Sequence, residues 1–337
     1  MLAITLKQIA DACDVSTATV SKALNYAPDI GTETAESIRK TARNMGYFPN
    51  AAARALKTSH SRNIGVLLSL GVVSGMTYEY FVQMFESFKQ EAEKEGYDIT
   101  FISRDIGGTD MSYLEHCMYR NCDGLLISCR EFTDPFIQEL VGSNIPVVTI
   151  DYVFDSCGAV QSDNVHGMAD LVRYVHSRGH RKIAFIHGDD TVVTRTRLAS
   201  FYRTCEELGV VVPDNYVLKG LYHNPENSSL ATRRLLNLPH PPTCIMYPDD
   251  FSYIGGMSEI EREGLSIPED ISVTGYDGSY LSRALQPSLT TLRQDSEVIG
   301  MRAAQLLVSA IESPRSYIPE HIVIPGTVWE GNTVKKL

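Results

Sequence analysis

The feature that most constrains the fold of this chain is an alternation of short apolar runs with amphipathic stretches from residue 64 onward. Short apolar runs separated by helical patterns are typical of parallel βαβ units. The predicted strands are IGVLLS, DITFIS, DGLLIS, IPVVTI, KIAFIH, YVLKG, TCIMY and ISVTGY. The series restarts after Asp163-Asn164, so we expect two similar α/β halves with a cleft between them.

The first sixty residues follow a different pattern, in which two short helical repeats are joined by a tight turn. Apolar residues recur at spacings of three and four between Thr5 and Asn25, and Asp14-Val15-Ser16 interrupts them. Ser16 is a good N-cap, so the second helix is expected to begin at Thr17 with its first turn exposed. Such a pair of helices is a helix-turn-helix, whose second helix can enter a groove of DNA.

This segment closely resembles the N-terminal headpiece of the lactose/galactose repressor (LacI/GalR) family. The resemblance continues through Tyr47, Pro49, Asn50, Ala53 and Leu56 and then through the rest of the chain. It implies an all-α helix-turn-helix headpiece, a hinge with a short helix, and a periplasmic-binding-protein-like α/β core of two parallel-sheet lobes. The expected bounds are 1–46 for the headpiece, 47–62 for the hinge, 63–337 for the core, about 63–160 plus 292–319 for lobe 1, and about 161–291 plus 320–337 for lobe 2.

The net charge of −11 is unevenly distributed along the chain. Residues 1–62 carry eight Lys/Arg against five Asp/Glu, and the remainder carries 22 against 36. This division suits binding of DNA through one module, because phosphates attract the cationic head and repel the anionic body. A surplus of three charges is modest, so affinity should depend on presenting two heads at once. No leucine heptads follow Trp329, which favours a homodimer over a tetramer built by a C-terminal coiled coil.

Other classes of protein fit the sequence less well. Paired acids equip glycosidases, but no nucleophile elbow, phosphate loop or metal-ligand cluster accompanies them, and no GxGxxG follows a strand. We therefore predict no catalytic residue, no cofactor and no metal. The segment MLAITLKQIADA is amphipathic rather than a signal peptide, and no apolar run approaches the roughly 20 residues that span a bilayer. A cytoplasmic protein without membrane contact is expected, rather than a periplasmic solute-binding protein.

The second helix carries the residues that could read bases. Helix periodicity places Ala18, Ser21 and Lys22 on one side, where Lys22 can donate to guanine and the Ala18 methyl can meet a thymine methyl. Nearby hydroxyls and amides suit phosphate oxygens, which position a protein without specifying a sequence. These residues are Thr5, Ser16, Thr19, Asn25, Thr34 and Tyr47.

The resemblance implies further roles at the DNA. In the family, the residues at the positions of Thr17, Ala18 and Lys22 set operator preference, and many relatives have an arginine where Lys22 stands. The family inserts the leucine at the position of Leu56 into the minor groove, where two symmetry-related leucines kink the duplex. The other hinge residues expected near the DNA are Asn50, Ala53, Arg54 and Lys57.

Candidate ligand-binding residues follow the predicted strands, because ligands of open parallel sheets bind beyond the carboxyl ends of the strands. By resemblance, Arg197 and Asp277 match ligand-binding residues of the family, with Arg197 in a helix predicted from Arg195 to Leu208. Asp249 stands where relatives more often have asparagine, and it is expected to face the cleft. The other candidates are Tyr222 as an aromatic face for a sugar, Asp151, and the first-lobe cluster Tyr78, Tyr80 and Phe81.

These patterns and the family resemblance together predict a dimeric repressor that binds a pseudo-palindromic operator. A sugar or sugar phosphate held between the lobes would release it by changing the separation of the two hinge helices. The alternative is a regulator whose ligand acts as a corepressor, for example a purine, or an activator of the same family.

Overall fold

The computed structural model describes residues 4–47, 60–69, 78–129 and 131–337. The chain divides into two compact units, Met1–Ser61 and Arg62–Leu337. Within the described ranges, no helix has both the length and the apolar character needed to cross a membrane.

The N-terminal unit is a three-helix headpiece formed by α1 (Leu6–Cys13), α2 (Thr17–Leu24) and α3 (Thr32–Asn44). Helix α2 begins at Thr17, as predicted, because the Ser16 side chain accepts a hydrogen bond from the N–H of Thr19 at 3.1 Å. Asp14 ends α1 in the left-handed conformation, which turns the chain sharply toward α2. Apolar side chains from all three helices form the core: Ile9, Ala10, Val20, Ala23, Ala35, Ile38 and Ala42.

The first lobe of the C-terminal unit is a parallel sheet flanked by helices. Its strands, in spatial order, are β13 (His321–Ile324), β7 (Gly158–Ser162), β6 (Val147–Ile150), β5 (Gly124–Cys129), β1 (Asn63–Ser69) and β2 (Asp98–Phe101). Its helices are α4 (Glu79–Lys94), α5 (Tyr113–Tyr119), α6 (Pro135–Val141) and α12 (Ser296–Glu312). A small hairpin, β3 (Asp105–Ile106) and β4 (Thr109–Asp110), lies beside it in the chain.

The second lobe repeats this architecture. Its strands, in spatial order, are β14 (Thr327–Trp329), β12 (Thr290–Arg293), β11 (Ser272–Asp277), β10 (Cys244–Met246), β8 (Ile183–His187) and β9 (Val217–Lys219). All pairs are parallel except β12 with β14. Its helices are α7 (Asn164–Ser177), α8 (Val192–Glu207), α9 (Pro225–Leu236), α10 (Tyr253–Arg262) and α11 (Tyr280–Ala284), and a short 3-10 turn covers Asp214–Tyr216.

All eight apolar runs singled out in the sequence are strands of these two sheets. Each sheet has an apolar core on both of its faces, as expected for strands between two layers of helices. In the first lobe, α12 packs directly against α4. A Cβ atom at Gly300 would lie 2.0 Å from the carbonyl oxygen of Met84, so only glycine permits this close approach.

Two boundaries differ from the sequence-based expectation. The chain passes between the lobes three times, after β7, β12 and β13. The third passage was expected at about residue 320. It comes later because His321–Ile324 pair with β7 and belong to the first lobe. Helix α8 begins at Val192 rather than Arg195, because the Thr191 side chain accepts a hydrogen bond from the N–H of Thr194 and caps it. Arg197 therefore lies in the second turn of the helix.

Candidate functional site

The first two turns of α2 present accessible side chains. Thr17, Ala18 and Lys22 are exposed and Ser21 is half-buried, whereas Val20 points into the headpiece core. The side chains expected to read bases therefore lie on the surface of a helix whose opposite face is anchored.

Lys22 has a partner that the sequence did not indicate. Its ammonium group forms an ion pair with the Asp29 carboxylate, which lies beyond the turn that follows α2. Tyr26 adopts a φ of 56° in that turn and brings the chain back toward the helix. The hydrogen bond from Lys22 lowers the pKa of Asp29. The charge of Lys22 is thus partly offset within the headpiece.

Several predicted phosphate-binding side chains have partners within the headpiece. Thr5 forms a capping box with Gln8 at the start of α1, and the Asn25 amide donates to the carbonyl oxygen of Ser21 at 2.7 Å. Ser16 and Thr19 bond to each other at the start of α2, Thr34 is exposed, and Tyr47 packs against the core. The predicted hinge residues lie outside the described residues: Asn50, Ala53, Arg54, Leu56 and Lys57.

In the C-terminal unit, a cavity of about 790 Å³ lies between the two lobes. This volume is within the range of small-molecule sites. Six of the predicted effector residues line the cavity: Tyr78, Tyr80, Phe81, Asp151, Arg197 and Tyr222.

Arg197 is fixed in the wall of this cavity by a set of buried contacts. Its Nε donates to Oδ1 of Asn164 at 2.7 Å, and its Nη1 donates to the carbonyl oxygen of Pro248 at 3.3 Å. The guanidinium carbon lies 3.5 Å from the centre of the Tyr276 ring, a cation–π contact. A guanidinium has five N–H donors, so a pre-oriented Arg197 can also donate to a ligand in the cavity.

Asp277 is buried behind the cavity wall and is bridged to the first lobe by Tyr78. The Tyr78 hydroxyl donates to its Oδ2 at 2.5 Å, and the Gln294 amide donates to its Oδ1 at 2.6 Å. Burial, and then the neighbouring Asp250 and Asp249 carboxylates, raise the pKa of Asp277 well above its usual range. The structure therefore places Asp277 where a ligand would meet it only after Tyr78 moves.

Asp249 does not face the cleft, in contrast to the expectation from its position after a strand. Its side chain is fully buried and accepts hydrogen bonds from the N–H groups of His223 (3.0 Å) and Ser252 (2.7 Å) and from the Ser252 hydroxyl (2.8 Å). Three donors converge on this carboxylate, whereas an asparagine would direct its own N–H groups at one of them. Asp249 therefore holds two loops together behind the site.

One cluster has the residue types that metals bind. Ligand atoms of His223, Asp249 and Asp277 lie within 4.8 Å of one another. The carboxylate oxygens of both aspartates accept hydrogen bonds from the protein. The Tyr78 hydroxyl donates to Asp277, and the N–H groups of His223 and Ser252 donate to Asp249. These bonds account for the buried carboxylates without an ion.

The predicted residue Tyr80 lines the cavity and its hydroxyl donates to Asp151 at 3.2 Å. The sequence did not single out several other residues of the lining. Asp151, His223 and Asp277 adopt positive φ values of 58°, 51° and 110°, a backbone conformation that is uncommon for non-glycine residues. The rule that ligands bind after strands could have found Asp189 and Asp190. The other lining residues that the sequence did not single out include Glu131, Phe132, Tyr152, His223 and Gln294.

Comparisons with known proteins agree with this architecture. Residues 5–50 match the model of the bacterial regulatory proteins, lacI family, and residues 172–334 match a periplasmic binding protein-like domain. The HTH-type transcriptional repressor PurR of Escherichia coli O139:H28 (strain E24377A / ETEC) is 30% identical over 338 residues, which cover 98% of this chain and 96% of PurR. The chain belongs to the lacI family of bacterial regulatory proteins.

Solved structures of similar proteins share the fold of this lacI-family chain. The lac repressor dimer bound to operator and the anti-inducer ONPF is 23% identical, with a TM-score of 0.82 and coverage of 99% of both chains. The transcriptional regulator CelR in complex with cellobiose is 21% identical, with a TM-score of 0.71 and coverage of 98% of this chain and 99% of CelR. The predicted fold class, a helix-turn-helix headpiece followed by two α/β lobes, is confirmed. As a lacI-family member the protein is a DNA-binding transcription regulator, and its homologues are regulators rather than enzymes.

Proposed function

We propose that this protein is a transcriptional repressor that binds a pseudo-palindromic operator as a homodimer and responds to a small hydroxyl-rich ligand. One observation carries the proposal: a single chain combines an exposed α2 with a ligand-sized cavity in which Arg197 is pre-oriented. The protein acts without catalysis, and it acts in the cytoplasm, where its DNA lies.

At the operator, α2 enters the major groove. Ala18, Ser21 and Lys22 meet base edges and Thr17 lies beside them, while the hydroxyls and amides at the helix ends contact phosphates. We also propose that the hinge residues Asn50 to Lys57 reach the minor groove. For this segment the proposal rests on the family resemblance alone.

In the cleft, the ligand lies between Arg197 and Asp151, with Tyr222, Tyr78 and Phe81 around it. Asp249 positions the loop of His223 from behind. A ligand hydroxyl that replaces the Tyr78 hydroxyl at Asp277 changes a contact between the lobes, and this links the cleft to the headpieces. Such couplings amount to about 1–3 kcal/mol and are reciprocal. The ligand acts as an inducer in this proposal, so its binding weakens operator binding. A corepressor would instead strengthen operator binding.

Selection of bound sequences from random duplex DNA at about physiological salt tests the DNA-binding part. We expect the wild type to select a symmetric site. Lys22→Ala should change the preferred base at one position of each half-site. The control Lys40→Ala removes the same charge from an exposed position of α3, and it should weaken binding to all sequences alike. An asymmetric motif, or no enrichment with or without pooled metabolites, would contradict the proposal.

A further inference from the structure

We propose that the ligand of the cleft carries no phosphate group: the cavity is built for a neutral or amino-bearing polyhydroxylated molecule. The sequence leaves sugars and sugar phosphates equally open, and the charges in the cavity wall separate them. This inference rests on the proposed function of the cleft and narrows its ligand class.

The described residues that line the cavity are strongly acidic. They include five carboxylates and two cationic groups: Glu131, Asp134, Asp151, Asp189 and Asp190 against Arg195 and Arg197. Arg130 lies outside the described residues, and burial raises the pKa of Asp151. Counting Arg130 as a lining cation and Asp151 as neutral would still leave an excess of negative charge. A phosphate dianion in this cavity is therefore repelled.

Both arginines of the lining already have partners. Arg195 forms an ion pair with Asp190 at 3.0 Å. Arg197 donates to Asn164 and stacks on Tyr276. Phosphate recognition by arginine normally uses two parallel N–H groups of one guanidinium. Here these groups are oriented by neutral or acidic protein partners, which suits single hydrogen bonds to hydroxyls better than a bidentate clamp.

The amino end of α8 also reaches the cavity, and such an end normally attracts phosphate. Two features oppose this attraction here. The Thr191 side chain accepts a hydrogen bond from the N–H of Thr194, and Asp189 and Asp190 directly precede the helix in the chain. Asp189 also accepts the N–H of Tyr222 at 3.4 Å, which keeps its carboxylate at this end of the cavity. The positive end of the helix dipole is therefore already opposed by protein carboxylates.

The rest of the lining matches a polyhydroxylated ligand. Aromatic rings can stack on the C–H face of a sugar and attract an amino group, and carboxylates accept hydrogen bonds from hydroxyl and ammonium groups. The rings of Phe132 and Tyr152 stack on each other with centres 4.5 Å apart and form one aromatic wall. The other aromatic lining residues are Tyr78, Tyr80, Phe81, Tyr113 and Tyr222.

The test uses the full-length protein and a panel of matched sugars. Glucose, galactose, ribose and cellobiose are compared with the amino derivatives and terminal phosphate esters of the three monosaccharides, by thermal shift and calorimetry. We expect any sugar that binds to bind at least about tenfold more tightly than its own phosphate ester. A phosphate ester that binds more tightly than its parent sugar overturns the inference but leaves the proposed function standing. If no member of the panel binds, the proposed function of the cleft is contradicted, and the inference falls with it.

A pair of substitutions makes the charge argument specific. The double variant Glu131→Gln and Asp190→Asn removes two carboxylates and releases Arg195 from its ion pair. We expect this double variant to reduce the ratio of the affinities for a sugar and for its phosphate ester several-fold, as measured by calorimetry. Glu320→Gln removes the same charge outside the cavity and should leave that ratio unchanged. An unchanged ratio in the double variant would contradict the role of the lining charges.

Discussion

The hydroxyl oxygen of Tyr78 lies 2.5 Å from Oδ2 of Asp277, and this hydrogen bond joins the first lobe to the second. The Tyr78 ring also contacts the ring of His223, with centres 3.4 Å apart. A second tie between the lobes runs from the N–H of Tyr280 to the Glu79 carboxylate at 2.9 Å. A hydroxyl of the first lobe thus satisfies the Asp277 carboxylate, which in the proposed function meets a ligand hydroxyl.

Removing this bond should weaken the core. We expect Tyr78→Phe to lower the free energy of unfolding by about 1–3 kcal/mol, because a buried acceptor loses its donor. Urea unfolding of the ligand-free protein measures the change. Tyr253→Phe is a matched control, because the buried Tyr253 hydroxyl has no hydrogen-bond partner among the described residues. Equal losses in the two variants would contradict the importance of the Tyr78 bond.

The buried aspartates make the stability of the core depend on pH. Burial raises the pKa of Asp250 from 3.8 to about 7, and burial also raises the pKa of Asp277. Between about pH 4 and 7 the folded protein therefore binds more protons at Asp250 than the unfolded chain does. The contribution of Asp250 to the unfolding free energy is fully present below about pH 4 and is lost as pH rises through 7, by at most about 1.4 kcal/mol per pH unit. Asp277 contributes in the same direction.

Asp250→Asn should flatten this dependence. Its Oδ2 accepts the N–H of Ser279 at 2.7 Å and its Oδ1 lies 2.6 Å from the Thr291 hydroxyl, which can also accept, so an asparagine fits. Thermal unfolding between pH 5 and 8 provides the measurement. A variant that loses stability with rising pH as steeply as the wild type would show that Asp250 does not titrate in this range.

The ion pair in the headpiece should restrain DNA binding. We expect Asp29→Asn to tighten operator binding about two- to fivefold, because Lys22 no longer has to leave an exposed ion pair. Fluorescence anisotropy with a labelled operator measures the change. The control Asp11→Asn removes the same charge from an exposed position of α1. It measures the general attraction of DNA to a more cationic headpiece. Equal gains from the two variants would rule out a specific effect on Lys22.

Most of the fold was predictable because buried parallel strands are continuous apolar runs. The strands that were not predicted lack this signal. β7 reads GAVQS, with one large apolar residue, and β12 begins with Thr290 and Thr291. β13 and β14 have four and three residues at the sheet edges, and β3 and β4 have two each. The first turn of α8 was missed because its signal is a single capping residue, Thr191.

The candidate site was predictable where a side chain directly follows a strand and lines the cavity, as for Asp151. The role of Asp249 was not, because it depends on the N–H groups of His223 and Ser252, which approach it only in the folded lobe. The pairing of Lys22 with Asp29 likewise depends on the conformation of a turn. Residue type and spacing do not encode such contacts.

The most direct test of the account measures operator affinity with and without a ligand found in the sugar panel, for the wild type and for Arg197→Lys. We expect the ligand to weaken operator binding by about 5- to 150-fold, and operator DNA to weaken ligand binding by the same factor. Arg197→Lys should keep the operator affinity of the ligand-free protein and lose the response, because a lysine cannot reproduce the planar contacts with Asn164 and Tyr276. Arg173→Lys on exposed α7 should behave like the wild type. An operator affinity that the ligand leaves unchanged in the wild type would contradict the account.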